Sequence, residues 1–134
     1  MSAQGHAKRV LCAEFHPNGI QLSTAGDDGT LRVWDLRKRS AYANIPAHSN
    51  LITQIKYLTS GSDGGDNKGL NGEALVSSSF DGTIRIWSTR DWKMLTSLEG
   101  HEGKIAGVDF IQKQRMNQFS LVTCGFDKTL KLWT

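Results

Sequence analysis

The sequence predicts an all-β fold assembled from three repeated units. Three observations carry that expectation. An aspartate precedes a tryptophan by six residues in each unit: Asp28 and Trp34 in "TAGDDGTLRVW", Asp81 and Trp87 in "SSSFDGTIRIW", Asp127 and Trp133 in "TCGFDKTLKLW". A histidine stands just ahead of an alternating apolar run, in "GHAKRVLCAEF" from Gly5, "AHSNLITQIKY" from Ala47 and "GHEGKIAGVDF" from Gly100. Finally, Asp28-Gly29 and Asp81-Gly82 are hairpin turn pairs between strand-like runs. Self-similarity of this kind marks a repeat architecture and is read before any single motif.

The runs after the histidines are rich in β-branched and aromatic residues, so each predicts a strand. Val10, Cys12 and Phe15 form the first, Ile52, Ile55 and Tyr57 the second, Ile105, Val108 and Phe110 the third. Gly19 and Gly72 predict turns after the first two. In the third unit Lys128 stands where the others have glycine, so that turn must tolerate a side chain. His48 to Trp87 spans 39 residues, against 28 for His6 to Trp34 and 32 for His101 to Trp133. The excess lies in "TSGSDGGDNKGLNGE", 59–73, whose Gly, Ser, Asn and Asp content predicts a mobile loop.

Taken together, these motifs resemble the WD-repeat family, whose members build β-propellers of four-stranded blades. The resemblance covers nearly the whole chain. It implies a propeller fragment of three four-stranded blades, the last lacking its outer strand: blade one about 5–46, blade two about 47–99, blade three about 100–134. Strands are then expected near 9–15, 20–25, 30–34 and 41–45; near 51–58, 74–79, 83–88 and 94–98; and near 104–110, 119–124 and 129–133. The expectation is a C-terminal part of a larger propeller, with two uncovered apolar blade faces and an unpaired edge through which the isolated chain self-associates.

The same resemblance implies one hydrogen-bonded tetrad per blade: His6, Thr24, Asp28 and Trp34; His48, Ser77, Asp81 and Trp87; His101, Thr123, Asp127 and Trp133. The indole N–H needs an acceptor, a hydroxyl can accept it and donate onward, and a carboxylate can hold the imidazole. Three copies of a Ser/Thr-His-Asp set argue for scaffolding, since catalysis needs one pocket. No catalytic residue and no cofactor is therefore expected. His101-Glu102 lacks the second histidine of a helical zinc motif, and 62–73 has its acidic residues out of register for calcium. Cys12 and Cys124 predict buried free thiols, and two cysteines make no zinc site. No metal is expected. No apolar run approaches the ~20 residues of a membrane helix.

Partner contact is expected on loops. The resemblance places the residue before each tetrad aspartate, Asp27, Phe80 and Phe126, on the narrow propeller face, with Arg9, Leu51 and Lys104 rimming it. Exposed aromatics there are candidates for contact hot spots. Arg37, Lys38 and Arg39 form a basic turn on the opposite side, a solvated turn by default and the candidate phosphate contact for RNA. The net charge of +3 is compatible with an RNA-rich setting without requiring RNA contact. A narrower resemblance, carried by 33–53, 100–110 and 123–133, is to the C-terminal repeats of the WD-repeat splicing factors of the U4/U6 small nuclear ribonucleoprotein. "IPAHSNL" at 45–51 weighs most. It implies a nuclear, non-enzymatic scaffold whose partners are the other U4/U6 proteins, with U4/U6 RNA held indirectly. A propeller serving another complex, such as a ubiquitin-ligase substrate receptor or a chromatin subunit, shares the same grammar.

Overall fold

A computed structural model describes residues 2–59, 71–113 and 118–134. Every regular element in it is a strand. Blade one holds β1 (Val10–Phe15), β2 (Gln21–Gly26), β3 (Thr30–Asp35) and β4 (Ser40–Pro46). Blade two holds β5 (Ile52–Thr59), β6 (Asn71–Ser79), β7 (Thr83–Ser88) and β8 (Met94–Glu99). Blade three holds β9 (Ile105–Lys113), β10 (Gln118–Gly125) and β11 (Leu130–Trp133). Each blade is an antiparallel meander, and the third has three strands among the described residues. A groove of about 350 Å³ beside β11 is lined by Lys131, Leu132 and Trp133 and by Glu99 and Gly100, where the chain passes from blade two to blade three.

Strands alternate their side chains between two faces, and the core uses both. On the seam between blades one and two, Ala25 and Leu31 meet Ile52, Ile55, Tyr57, Leu75 and Trp87. On the seam between blades two and three, Val76 and Ile84 meet Ile105, Val108 and Leu121. One face of blade two therefore packs upstream and the other downstream. Polar groups cross the seams as well. Tyr57 and Ser23 share a buried hydroxyl–hydroxyl bond. Gln54 Oε1 accepts from the Val108 N–H at 3.0 Å, and Thr53 Oγ1 donates to the Ile105 carbonyl at 3.1 Å.

The turns follow their residues. Gly29 and Gly82 sit at φ 70° and 84°, and Lys128 occupies the same place at φ 65°. A side chain at positive φ costs roughly 1–2 kcal/mol relative to its preferred backbone conformation. A Cβ on Gly29 would lie 2.5 Å from the His48 carbonyl oxygen, so glycine there also admits the next blade.

Two expectations are corrected. Gly72 is not in a turn: it lies inside β6 at φ 80°, in a bulge where Leu58 pairs with Ala74 and Thr59 with Asn71. The bulge turns its carbonyl toward blade one, where His16 Nε2 donates at 3.0 Å, and Thr89 Oγ1 donates to it at 2.7 Å. The cysteines are free but not fully buried, Cys12 being half-buried and Cys124 exposed. Burial pushes the Cys12 thiol up to about 11. Cys124 lies on the side of blade three that no other described residue covers. Of the loop expected at 59–73, residues 60–70 lie outside the described ones.

Candidate functional site

The three tetrads are built alike. In each blade the histidine lies in the segment before the inner strand, the hydroxyl on the second strand, the tryptophan on the third, and the aspartate in the turn between them. His6 Nδ1 is 2.9 Å from Asp28 Oδ2, and His6 Nε2 is 2.7 Å from Thr24 Oγ1. The Trp34 indole donates to that same hydroxyl at 2.8 Å. Blade two repeats this with His48 to Asp81 at 2.9 Å, His48 to Ser77 at 2.7 Å and Trp87 to Ser77 at 3.0 Å. Blade three has His101 to Asp127 at 2.9 Å, His101 to Thr123 at 2.7 Å and Trp133 to Thr123 at 3.0 Å. One protonation pattern satisfies every group: imidazole Nδ1–H donates to the carboxylate, the hydroxyl donates to Nε2, and the indole N–H donates to the hydroxyl. Each such bond contributes about 0.5–1.5 kcal/mol net, while a stranded buried member costs more.

A fifth member is absent from the sequence expectation. Thr30, Thr83 and Thr129 each donate from Oγ1 to the tetrad aspartate at 2.7–2.8 Å, and from their N–H to the same oxygen. The signal was visible as Asp-x-Thr in all units. The second carboxylate oxygen also accepts the backbone N–H of Ala7, Ser49 or Glu102. These donors keep the carboxylates charged. Burial opposes ionisation of Asp28, but His6, Thr30 and two backbone N–H groups outweigh it and hold Asp28 at about 2. At Asp81 burial is likewise outweighed by Thr83 and His48. At Asp127 the Thr129 hydroxyl leads, against burial and with help from His101, and the carboxyl is again lowered. Burial pushes His48 down despite the opposing pull of Asp81, so its neutral form is favoured. The Ser/Thr-His-Asp sets are thus committed to joining strands to turns. Among the described residues no group of three His, Cys, Asp or Glu side chains is arranged to hold a metal ion.

At the turn end of the blades the structure pairs the expected contact residues. The backbone N–H of Asp27, Phe80 and Phe126 donates to the carbonyl of Arg9, Leu51 and Lys104 respectively, at 2.9–3.0 Å. In blade one the pair is closed by an Arg9–Asp27 ion pair at 2.6 Å, largely exposed on the Arg9 side. Such surface pairs contribute roughly 0–1 kcal/mol. In blades two and three the corresponding residues cluster. Phe80 and Phe126 meet edge to face at 5.2 Å, and Lys104 Nζ lies 4.9 Å from the Phe80 ring centre and 5.9 Å from that of Phe126. Phe126 stays 61% exposed while Phe80 is half-buried. No spacing rule in the sequence foretold the Lys104 cluster, because it joins residues of two blades.

The basic run lies away from this cluster, in the turn from β3 to β4. Arg37 is held by Asp35 through Nε at 3.3 Å and Nη2 at 3.0 Å, and Asp35 also accepts the N–H of Arg37 and Lys38. The Arg37 side chain lowers Asp35 to about 2. Arg39 supports the turn at φ 54°. Arg37 therefore organises the turn, and the exposed Lys38 and Arg39 side chains project from it.

Comparisons with known proteins agree with this architecture. Periodic tryptophan protein 2 homolog of Caenorhabditis elegans is 23% identical over 178 aligned positions, covering 100% of this chain and 18% of that protein. Nuclear distribution protein nudF of Aspergillus flavus is 26% identical over 133 residues, covering 98% of this chain and 26% of that protein. Transcriptional corepressor LEUNIG_HOMOLOG of Arabidopsis thaliana is 26% identical over 128 residues, covering 95% and 14%. The chain therefore spans only 14–26% of the length of these relatives. The crystal structure of RRP9 WD40 repeats superposes with a TM-score of 0.79 at 20% identity, covering 97% of this chain and 36% of that one, a likeness of fold. The family model for the WD domain, G-beta repeat, matches residues 1–35, 69–88 and 92–134. With its tetrads, its meandering blades and these matches, the chain belongs to the WD40 repeat family.

Proposed function

We propose that this chain is part of a nuclear, non-catalytic interaction scaffold of the U4/U6 small nuclear ribonucleoprotein, supporting tri-snRNP assembly and pre-mRNA splicing. The observation that carries the scaffold reading is the threefold copy of each polar constellation, every one of them engaged in hydrogen bonds between strand and turn. The splicing assignment rests on the segment resemblance at 45–51. In the structure part of that segment serves the seam: the Ala47 and His48 N–H groups both donate to the Gly29 carbonyl, at 3.1 and 3.0 Å. The partners on this reading are the other U4/U6 proteins, and RNA is held through them.

Affinity capture of the full-length protein from nuclear extract tests the assignment. Recovery of U4 and U6 RNA with splicing proteins is expected. Recovery of a different stable assembly would discard splicing and favour a second reading, a scaffold in another complex; one similar protein is a transcriptional corepressor by name. Neutralising Lys38 and Arg39 leaves RNA recovery and its salt dependence unchanged on the indirect-contact reading; a weakened salt slope would overturn it.

We further propose that the isolated chain self-associates through its uncovered blade faces, Phe15 on blade one and Leu130 and Leu132 on blade three being 67%, 73% and 65% exposed. Sedimentation of the purified chain at micromolar concentration is expected to show a species larger than one chain; a single-chain mass would rule this out.

A further inference from the structure

We infer that Ser40 is a phosphorylation site for a serine/threonine kinase that reads basic residues, and that its phosphate draws Arg37 away from Asp35. The inference goes beyond the scaffold reading and stands without it. Arg37, Lys38, Arg39 and Ser40 follow one another, so the serine has an arginine three residues before it and a lysine two before it. Among the described residues Ser40 is the only exposed serine or threonine with an arginine at that distance. The other such step, Arg85 to Ser88, ends on a half-buried serine. Charge patterns of this kind are what kinases use to select substrates.

The place in the fold suits the reaction. Residues 37–42 are exposed without a break, and β4 is the outer strand of blade one. Asp35 and Ser40 form the last pair of the β3–β4 ladder. Pairs at such an end open locally at little cost, and no tetrad residue lies between them in the chain. Opening also releases the left-handed backbone of Arg39, at φ 54°. Arg37 keeps 67% of its side chain exposed while bonded to Asp35, so an acidic group of a kinase can reach it. The matching turn of blade two has its own left-handed residue, Trp92 at φ 55°, but carries Lys93 where blade one has Ser40. The site therefore belongs to one blade and not to the repeat.

In the transfer, Ser40 Oγ forms a bond to the γ-phosphorus of a nucleoside triphosphate as the bond to the bridging β–γ oxygen breaks. The nucleoside diphosphate leaves, and the hydroxyl proton passes to a carboxylate base of the kinase. The product carries a charge of about −2, directly across the ladder from Asp35. Like charges so placed repel. A guanidinium grips phosphate with the same two-point geometry as carboxylate, so Arg37 moves to the phosphate. Asp35 keeps the N–H groups of Arg37 and Lys38. The three cations of the turn are then nearly balanced, and its attraction for anions is removed.

The test is phosphoryl transfer from radiolabelled ATP to the full chain by the catalytic subunit of cyclic-AMP-dependent kinase, which selects basic residues before serine. An acid-directed serine kinase is the control. One phosphoryl group is expected, mapped to Ser40 by fragmentation mass spectrometry, with none in Ser40→Ala. Arg37→Ala is expected to lower kcat/KM at least about tenfold, as loss of a charged contact does; a turn that is merely looser would raise it. No labelling, labelling that survives in Ser40→Ala, equal labelling by the control kinase, labelling of the heat-unfolded chain alone, or indifference to Arg37→Ala would each overturn the site. Phosphorus NMR reads the second half. In the phosphorylated chain the second ionisation is expected below its ordinary value of about 6, because Arg37 favours the dianion. A midpoint at or above that value would overturn the transfer of Arg37 from Asp35.

Discussion

Blade two and blade three use the same sequence grammar and meet opposite surroundings. Val76 and Val122 both precede a tetrad hydroxyl; the first is 0% exposed and the second 38%. Ile84 and Leu130 both follow a tetrad aspartate by three residues; they are 0% and 73% exposed. Both pairs lie on the side of the blade that faces the next one. Blade two has blade three against that side, with Ile105, Val108 and Leu121 filling the seam, and blade three has no described residue there. On the opposite side the two blades agree: Ser77 and Thr123 are both buried, with matching bonds from their histidines. A repeat thus assigns a side chain to a face, while burial is conferred by the neighbouring repeat.

The sharpest way to break this comparison is to empty the same position in both blades. Ile84→Ala is expected to cost about 2–5 kcal/mol, from lost apolar transfer and the cavity left behind. In a chain dilute enough to be unassociated, Leu130→Ala is expected to stay within about 0.5 kcal/mol, as for an exposed site. Urea unfolding of both variants decides. Equal costs would mean that the outer face of blade three is covered in solution, which a concentration-dependent midpoint would reveal.

The tetrads come next. Asp81→Asn weakens the acceptor that takes the His48 Nδ1–H, the Thr83 hydroxyl and two backbone N–H groups. A loss of about 1–3 kcal/mol is expected from leaving such donors poorly satisfied. Asp127→Asn is expected to lose less, because its partner Thr129 is already exposed to water. A larger loss at Asp127 than at Asp81 would reverse the ranking and point to tighter closure of blade three.

Acid titration sharpens the same point without mutation. His48 is lowered by burial, so protonation favours the unfolded chain. Its contribution is full above ~6.5, the ordinary histidine value, and declines as pH falls below it. Asp28 is lowered to about 2, so its contribution is present above the ordinary ~3.9 and is lost as pH falls toward 2. Thermal midpoints are therefore expected to fall in two stages on acidification. In His48→Asn the first stage should shrink; persistence at full size would remove its assignment to His48.

A small effect of opposite sign is expected at the turn of blade three. Lys128→Gly places the residue of the other blades at φ 65°. Relief of the backbone strain outweighs the added freedom of the unfolded chain, so a gain of about 0.5–1 kcal/mol is expected. A loss would show that Lys128 makes a compensating contact.

Much of the fold was legible in the sequence, because the signals are local. The six-residue step from aspartate to tryptophan encodes a turn plus a strand, and the alternating runs encode the strand faces. The partners within each tetrad followed from the family that the repeat resembles, and their donor and acceptor types agree with it. The Asp-x-Thr step was equally local and went unread. What stayed illegible lies between blades. The expected burial of Cys124 failed because its face is open, and the turn expected at Gly72 is a bulge whose glycine leaves room for His16 and Pro17 of blade one. The strand runs and the hairpin turns at Asp28-Gly29 and Asp81-Gly82 were determined by the sequence alone, since each depends on neighbours a few residues apart, and the repeated pattern pointed to the family whose tetrads these residues form. The tertiary structure decided which apolar faces are covered, which arginine is tied down by Asp35, and that Lys104 joins Phe80 to Phe126. Those outcomes depend on how one blade is set against the next, a relation between distant segments that no residue spacing records.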